Sequence, residues 1–157
     1  MKILFVCTHN RCRSILCEAI TNQLAKDQIT AFSAGSEPSG EVHPLTIRTL
    51  SERGYSTDAL RSQSWNEFTT LVPDVVITVC DSAANEPCPI WLGTAIKLHW
   101  GLPDPSRLEG DEHAVKHAFN QVIDTIEKRT QKLMGIVGQG LSNSALARAL
   151  SEEIKAG

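Results

Sequence analysis

The sequence predicts an α/β fold in which a parallel sheet is covered by helices on both faces. Short, continuous, β-branched apolar runs recur along the chain, and stretches with helical spacing or turn-rich connections separate them. The 157 residues, 41% hydrophobic and 21% charged, suit one domain spanning 1–157 with enough apolar surface for a core.

Lys2 to Cys7 reads as the first buried strand, apolar and closed by polar residues. Ser14 is a candidate helix N-cap, and Leu16, Ala19, Ile20 and Leu24 keep helical spacing to about Asp27. Thr30 to Ala34 reads as a second strand ended by Gly35. Pro44 suits the first turn of a helix reaching Arg53, with Gly54 as its stop. A short helix is expected from Ser64 or Asn66, before Pro73. Asp74 to Val79 (DVVITV) is the strongest strand signal, and Ala95 to Trp100 gives a fourth. Between them lies an irregular stretch from Cys80 to Gly93. Val115, Phe119, Val122, Ile126 and Leu133 mark one face of a long helix. Leu146, Leu150 and Ile154 mark a last one from about Ser144.

Charge and cysteine usage narrow the function classes. A net charge of −3 and a pI near 5.9 supply no basic field for nucleic acid or anionic lipid. No run of 18 apolar residues exists, and Ile3 to Val6 is too short for a signal segment, so a cytoplasmic protein with neither nucleic-acid nor membrane partners is expected. Five cysteines, at 7, 12, 17, 80 and 88, are an odd number and widely spread. In that compartment they read as free, catalytic or metal-binding thiols rather than a disulfide framework. Burial in the core is the competing reading, favoured for Cys17.

In parallel sheets ligands sit beyond the carboxyl ends of the strands, which points to Cys7, Cys80 and Asp104 on one rim. The run Cys7-Thr8-His9-Asn10-Arg11-Cys12-Arg13-Ser14 places a cysteine and an arginine with five residues between them, in a loop joining a strand to a helix. Consecutive backbone N–H groups in such a loop can curl around an anion beside a helix N-terminus. There a thiol is expected to have a lowered pKa, and Arg13 can offer two parallel donors to a tetrahedral oxyanion. Ser14 can donate to the Cys7 sulfur or simply cap the helix. Cys12 can line the anion site or pack beneath it. No residue is spaced to make a metal site with His9, so no metal is expected there and His9 reads as an exposed loop residue that tunes charge.

Asp104, between Pro103 and Pro105, is a turn residue on composition and a candidate general acid on position. Asp81 is a rival acid. His99 and Trp100 read as packing residues. Cys80 and Cys88 stand in polar, turn-rich surroundings, where core packing is implausible. They lack the paired spacing of structural zinc, so a redox pair fits better.

Taken together, CTHNRCRS with Glu18 after it, SAG at Ser33 to Gly35, DVVITVCD, CP at Cys88, HWG at His99 and DPS at Asp104 resemble one family. It is the arsenate reductases built on the low-molecular-weight tyrosine phosphatase fold. The match runs in order from about residue 2 to 134. The resemblance implies a four-stranded parallel sheet in flavodoxin-like order 2-1-3-4, with residues 1–134 as a phosphatase-like core and 138–157 as a C-terminal helical extension. It implies that Cys7 attacks arsenate while Arg13 and the loop from Thr8 through His9, Asn10, Arg11 and Cys12 bind the oxyanion. Ser14 would lower the thiol pKa and Asp104 act as general acid. Cys80 would then attack Cys7, releasing arsenite, and Cys88 would attack Cys80. No tightly bound cofactor is implied. The partner would be an external thiol reductant, thioredoxin or a glutathione and glutaredoxin system. Some relatives bind potassium near the positions of Asn10 and Glu18, which makes potassium a candidate ligand. Two rivals remain: a phosphatase for phosphotyrosine or small phosphate esters, needing only Cys7, Arg13 and Asp104, and an inactive anion-sensing module.

Overall fold

The computed structural model describes residues 1–80 and 94–156. Among these, four strands form one parallel sheet: β1 (Lys2–Cys7), β2 (Thr30–Gly35), β3 (Val75–Thr78) and β4 (Ile96–His99), in the order β2-β1-β3-β4. The helices are α1 (Arg13–Leu24), α2 (Pro44–Glu52), α3 (Glu112–Val137) and α4 (Asn143–Ala156), with 3₁₀ turns at Trp65–Phe68 and Pro105–Arg107. Both inner strands of the expected order are therefore where the sequence placed them.

β1 is the centre of the molecule. It pairs with β2 through Ile3–Ala31, Phe5–Ser33 and Cys7–Gly35, and with β3 through Ile3–Val75 and Phe5–Ile77. Successive side chains of a strand point to opposite faces, and Ile3, Leu4, Phe5 and Val6 are all buried. Both faces of β1 are therefore covered. That is why the strand is continuously apolar rather than alternating. α1 packs against β1, β2 and α3, and α4 lies against α3 and β4.

The local signals held in most places. His43 caps α2, its Nδ1 accepting from Leu45 N at 3.1 Å, with Pro44 at the first helical position. The turn at Gly54, where φ is +84°, ends that helix region. Ser64 and Glu67 form a reciprocal capping box on the short helix expected there. Two expectations need correction. Ser14 is not the cap of α1: Cys12 occupies that position without a side-chain cap, and Ser14 lies inside the first turn facing the core. α1 also ends at Leu24 instead of Asp27, because a turn in which Gln28 and Ile29 donate to the Ala25 carbonyl brings the chain back to start β2.

α2 is pinned to α3 by a charged brace. Arg53 donates to Asn120 at 3.0 Å, Asp124 at 2.8 Å and Glu127 at 2.7 Å, and the Tyr55 hydroxyl donates to the other oxygen of Glu127. Burial and the Glu127 carboxylate push the Tyr55 phenol above its ordinary value, so it remains the donor.

Gly35, at the end of β2, decides how closely the loop after β1 can approach. A Cβ there would lie 2.5 Å from the Thr8 carbonyl oxygen and 3.0 Å from that of Cys7. Both are backbone atoms that cannot swing away. Gly35→Ala is expected to cost about 1–3 kcal/mol of stability through overpacking and to weaken oxyanion binding. Urea unfolding and phosphate titration of the variant check both, and unchanged values would refute the close-approach role.

Candidate active site

The loop between β1 and α1 is shaped by what its carbonyls bind. Thr8 O accepts from Glu37 N at 2.9 Å, His9 O from Ser39 N at 3.0 Å and Ser62 Oγ at 3.1 Å, and Arg11 O from His43 N at 2.9 Å. These donors lie outside the loop. A trans peptide points its N–H opposite to its C=O, so the N–H groups of His9, Asn10 and Cys12 face the enclosed side. The result is a cup of donors with Cys7 at its base.

Asn10 is the post that holds the cup. It is fully buried with φ at +47°, a left-handed conformation that asparagine tolerates better than most residues. Its Oδ1 accepts from Gln63 N at 2.8 Å, which fixes the amide so that Nδ2 donates to Ser14 Oγ at 2.8 Å. With that lone pair occupied, the Ser14 hydroxyl proton can turn to the Cys7 sulfur, 2.9 Å away. The Asn10 side chain thus supports the loop from behind.

A pocket of about 280 Å³ opens above the sulfur, lined by Cys7, Thr8, Arg11, Arg13, Cys80 and Asp104, with His9, Cys12 and Arg107 completing it. Three segments far apart in sequence thus meet on the expected rim. Arg13 Nη1 donates to the Leu102 carbonyl at 3.1 Å, and Nη2 lies 3.6 Å from Asp104 Oδ2. Asp104 Oδ1 accepts from Ser106 N at 3.0 Å and Ser106 Oγ at 2.6 Å, while Arg107 Nε lies 3.4 Å from Oδ2. Asp104 therefore caps a turn and faces the anion loop at once, which reconciles its two sequence readings. Cys12 likewise is buried and lines the pocket. His9 is exposed, as expected. Trp100 stacks against Phe5 in the core, and His99 Nδ1 is 2.8 Å from Thr78 Oγ1.

Cys80 differs from expectation in one respect. Polar neighbours in sequence argued against burial, yet it is 3% exposed, because it closes β3 beneath the loop, with Sγ 3.6 Å from Thr8 Oγ1. It is buried and borders the pocket. Cys88 and Asp81 lie outside the described residues. Arg107 was missed: it follows a DPS motif whose turn geometry, once known, places the third residue after Asp104 back over its carboxylate. Among the described residues no cluster of three metal-ligating side chains occurs.

The electrostatics of the sulfur overturn the expected direction. Burial pushes the Cys7 thiol up from its ordinary value and outweighs the Ser14 hydroxyl and the N–H groups of Ser14 and Asn10, which pull it down. Burial pushes Cys12 up to about 12 and Cys17 well above the thiol range, which leaves both inert as nucleophiles.

The residues 2–150 match the family model of the low molecular weight phosphotyrosine protein phosphatases, and the chain belongs to this family. It is 32% identical over 127 residues to an arsenate reductase of Halalkalibacterium halodurans, covering 81% of this chain and 90% of that one. It is also 32% identical to a glutaredoxin arsenate reductase of Synechocystis sp., covering 85% and 95% of the two chains. Among solved structures, one described as an arsenate reductase in the phosphate binding state is similar with a TM-score of 0.72 at 28% identity, covering 87% of this chain and 98% of that one.

Two outcomes are expected. Ser14→Ala removes a donor that lowers the Cys7 pKa, so the pH midpoint for iodoacetamide alkylation should rise and the rate near neutrality should fall several-fold. An unmoved midpoint would contradict the assignment. Glu18 is pushed up to about 7 from 4.5 by burial, against the pull of its hydrogen bond from Ser33. The folded protein therefore keeps a proton that the unfolded chain has released, so stability falls as pH rises from about 4.5 to about 7 and levels off above. Glu18→Gln should flatten that slope in sodium buffer, as read by denaturation midpoints across the same window.

Proposed function

We propose that this protein reduces arsenate to arsenite with its own thiols. The observation that carries the reading is the presence of two cysteines, Cys7 and Cys80, in one pocket with Arg13 and Asp104. A phosphatase would need only the first cysteine. The arsenate reductases to which the chain is similar supply the substrate class.

The roles are those the family resemblance implies, and the meeting of Cys7, Arg13, Cys80 and Asp104 around one pocket supports them. Arsenate enters the cup of N–H groups, and Arg13 exchanges Asp104 for two substrate oxygens. The Cys7 sulfur attacks arsenic, and one oxygen leaves as water, taking up the thiol proton through Asp104 as general acid. Arg107, beside Asp104, meets charge on the departing oxygen. Cys80 then attacks the Cys7 sulfur. The sulfur–arsenic bond breaks with its electron pair on arsenic, which leaves as arsenite, and a Cys7–Cys80 disulfide remains. Cys88 attacks Cys80, freeing Cys7 and leaving a Cys80–Cys88 disulfide. An external dithiol, thioredoxin or glutathione with glutaredoxin, restores both thiols in a cytoplasmic setting. Residues 1–134 would form this catalytic core, and 138–157 a helical extension docked on it away from the pocket.

Potassium belongs to the proposal as a structural ion. Its place would be near Asn10 and Glu18, and a cation there would favour ionised Glu18. Potassium, but not sodium, should then raise stability above pH 7, and Glu18→Gln should abolish the difference.

The decisive test is single-turnover arsenite release without added reductant, followed by mass mapping of disulfides. Wild type should release arsenite and carry Cys80–Cys88. Cys80→Ser should release none, and Cys88→Ser should stop at Cys7–Cys80. Undiminished release from Cys80→Ser would refute the relay. Turnover of p-nitrophenyl phosphate far exceeding that of arsenate under reducing conditions would favour the phosphatase.

A further inference from the structure

A second cavity lies away from the anion loop, where α4 and the C-terminal half of α3 close over the end of β4. Its volume is about 180 Å³, and its walls include Leu98, Trp100, Leu133 and Leu150. Apolar cavities of about 150 Å³ already accept a benzene-sized body. Three charged side chains also border it. Lys132 Nζ is paired with Glu153 Oε1 at 2.8 Å, so those two charges answer each other. Arg129 is different. Its guanidinium lies 5.8 Å from the centre of the Trp100 ring, and its Nη1 is buried with no hydrogen-bond partner among the described residues.

A buried guanidinium N–H without an acceptor is costly, and native structures rarely leave one so. Arg129 borders a space large enough for a small molecule, and the preferred acceptor of a guanidinium is a carboxylate. We propose that this cavity binds a small monocarboxylate with an apolar body. The carboxylate would accept from Arg129, and the body would lie between Trp100 and the side chains of Leu133 and Leu150. The site is separate from the chemistry at Cys7 but not isolated from it. Trp100 is followed by Gly101 and Leu102, and the Leu102 carbonyl is the acceptor that holds Arg13. A ligand against Trp100 thus presses on the segment that positions the oxyanion-binding arginine.

The test is titration of the reduced full chain with sodium benzoate, followed by ¹H–¹⁵N spectra, with benzyl alcohol as a neutral probe of the same size. Benzoate should shift the amides of 98–101 and 129–136 saturably in the millimolar range, and benzyl alcohol should bind about tenfold more weakly because it lacks the charge-assisted contact. Arg129→Met should lose the preference for benzoate. Leu133→Phe, which fills the cavity and leaves the guanidinium in place, should lose binding of both probes. Thermal melts establish that each variant is folded, and if Arg129→Met is not, Leu133→Phe with the probe pair decides. Equal binding of the two probes, shifts confined to residues 8–14, or benzoate binding undiminished in Leu133→Phe would each overturn the proposal.

Discussion

Everything functional in this molecule depends on a line of hydrogen bonds that runs from Gln63 N–H through the Asn10 amide and the Ser14 hydroxyl to the Cys7 sulfur. Each link fixes the direction of the next. The backbone donor decides which way the Asn10 amide faces, the amide occupies one lone pair of Ser14, and the hydroxyl is left to serve the thiol. Because the line is buried, its bonds are made in low dielectric and breaking any one leaves an unsatisfied polar atom. The cup of amides above it is a secondary consequence. Its carbonyls are held by donors from the 37–46 segment, and its floor is held by Asn10.

The same burial that strengthens this line works against ionising the sulfur. Burial is the largest influence on Cys7, ahead of every donor aimed at it. The pocket resolves the conflict by surrounding the thiol with charge that is provisionally committed elsewhere. Arg13 rests on the Leu102 carbonyl and Asp104, and Asp104 is shared with Arg107 and Ser106. An entering oxyanion can compete for these groups without any strand or helix moving. The reacting groups come from three connections at one sheet edge, so their spacing is set by strand pairing.

Much of this could be read in the sequence because the signals are local and strong. Runs such as Ile3 to Val6 and Val75 to Thr78 have no stable fate except a strand covered on both sides. The Cys7 to Ser14 loop, with a strand before it and a helix after it, has few shapes available. Errors arose where tertiary contact overruled composition. Ser14 looked like a cap because capping is the usual use of serine before a helix, and only the proximity of Asn10 and Cys7 gives it other partners. The supporting role of the Asn10 side chain was not legible, because nothing in sequence announces a left-handed backbone. Cys80 looked exposed because its neighbours in sequence are polar, while its neighbours in space are Thr8 and the end of β1. The direction of the Cys7 shift was missed for a related reason. Helix position can be read from a pattern, but depth cannot.

The place of β1 in the sheet has a further consequence. A strand hydrogen-bonded on both sides, with both faces covered, belongs to the part of a protein that opens last in hydrogen exchange. Cys7 is the final residue of that strand. Its geometry should therefore persist through the partial openings that release termini and surface helices, and it should be lost only when the whole sheet comes apart. On warming, the surroundings of Cys7 would then be lost together with the fold itself.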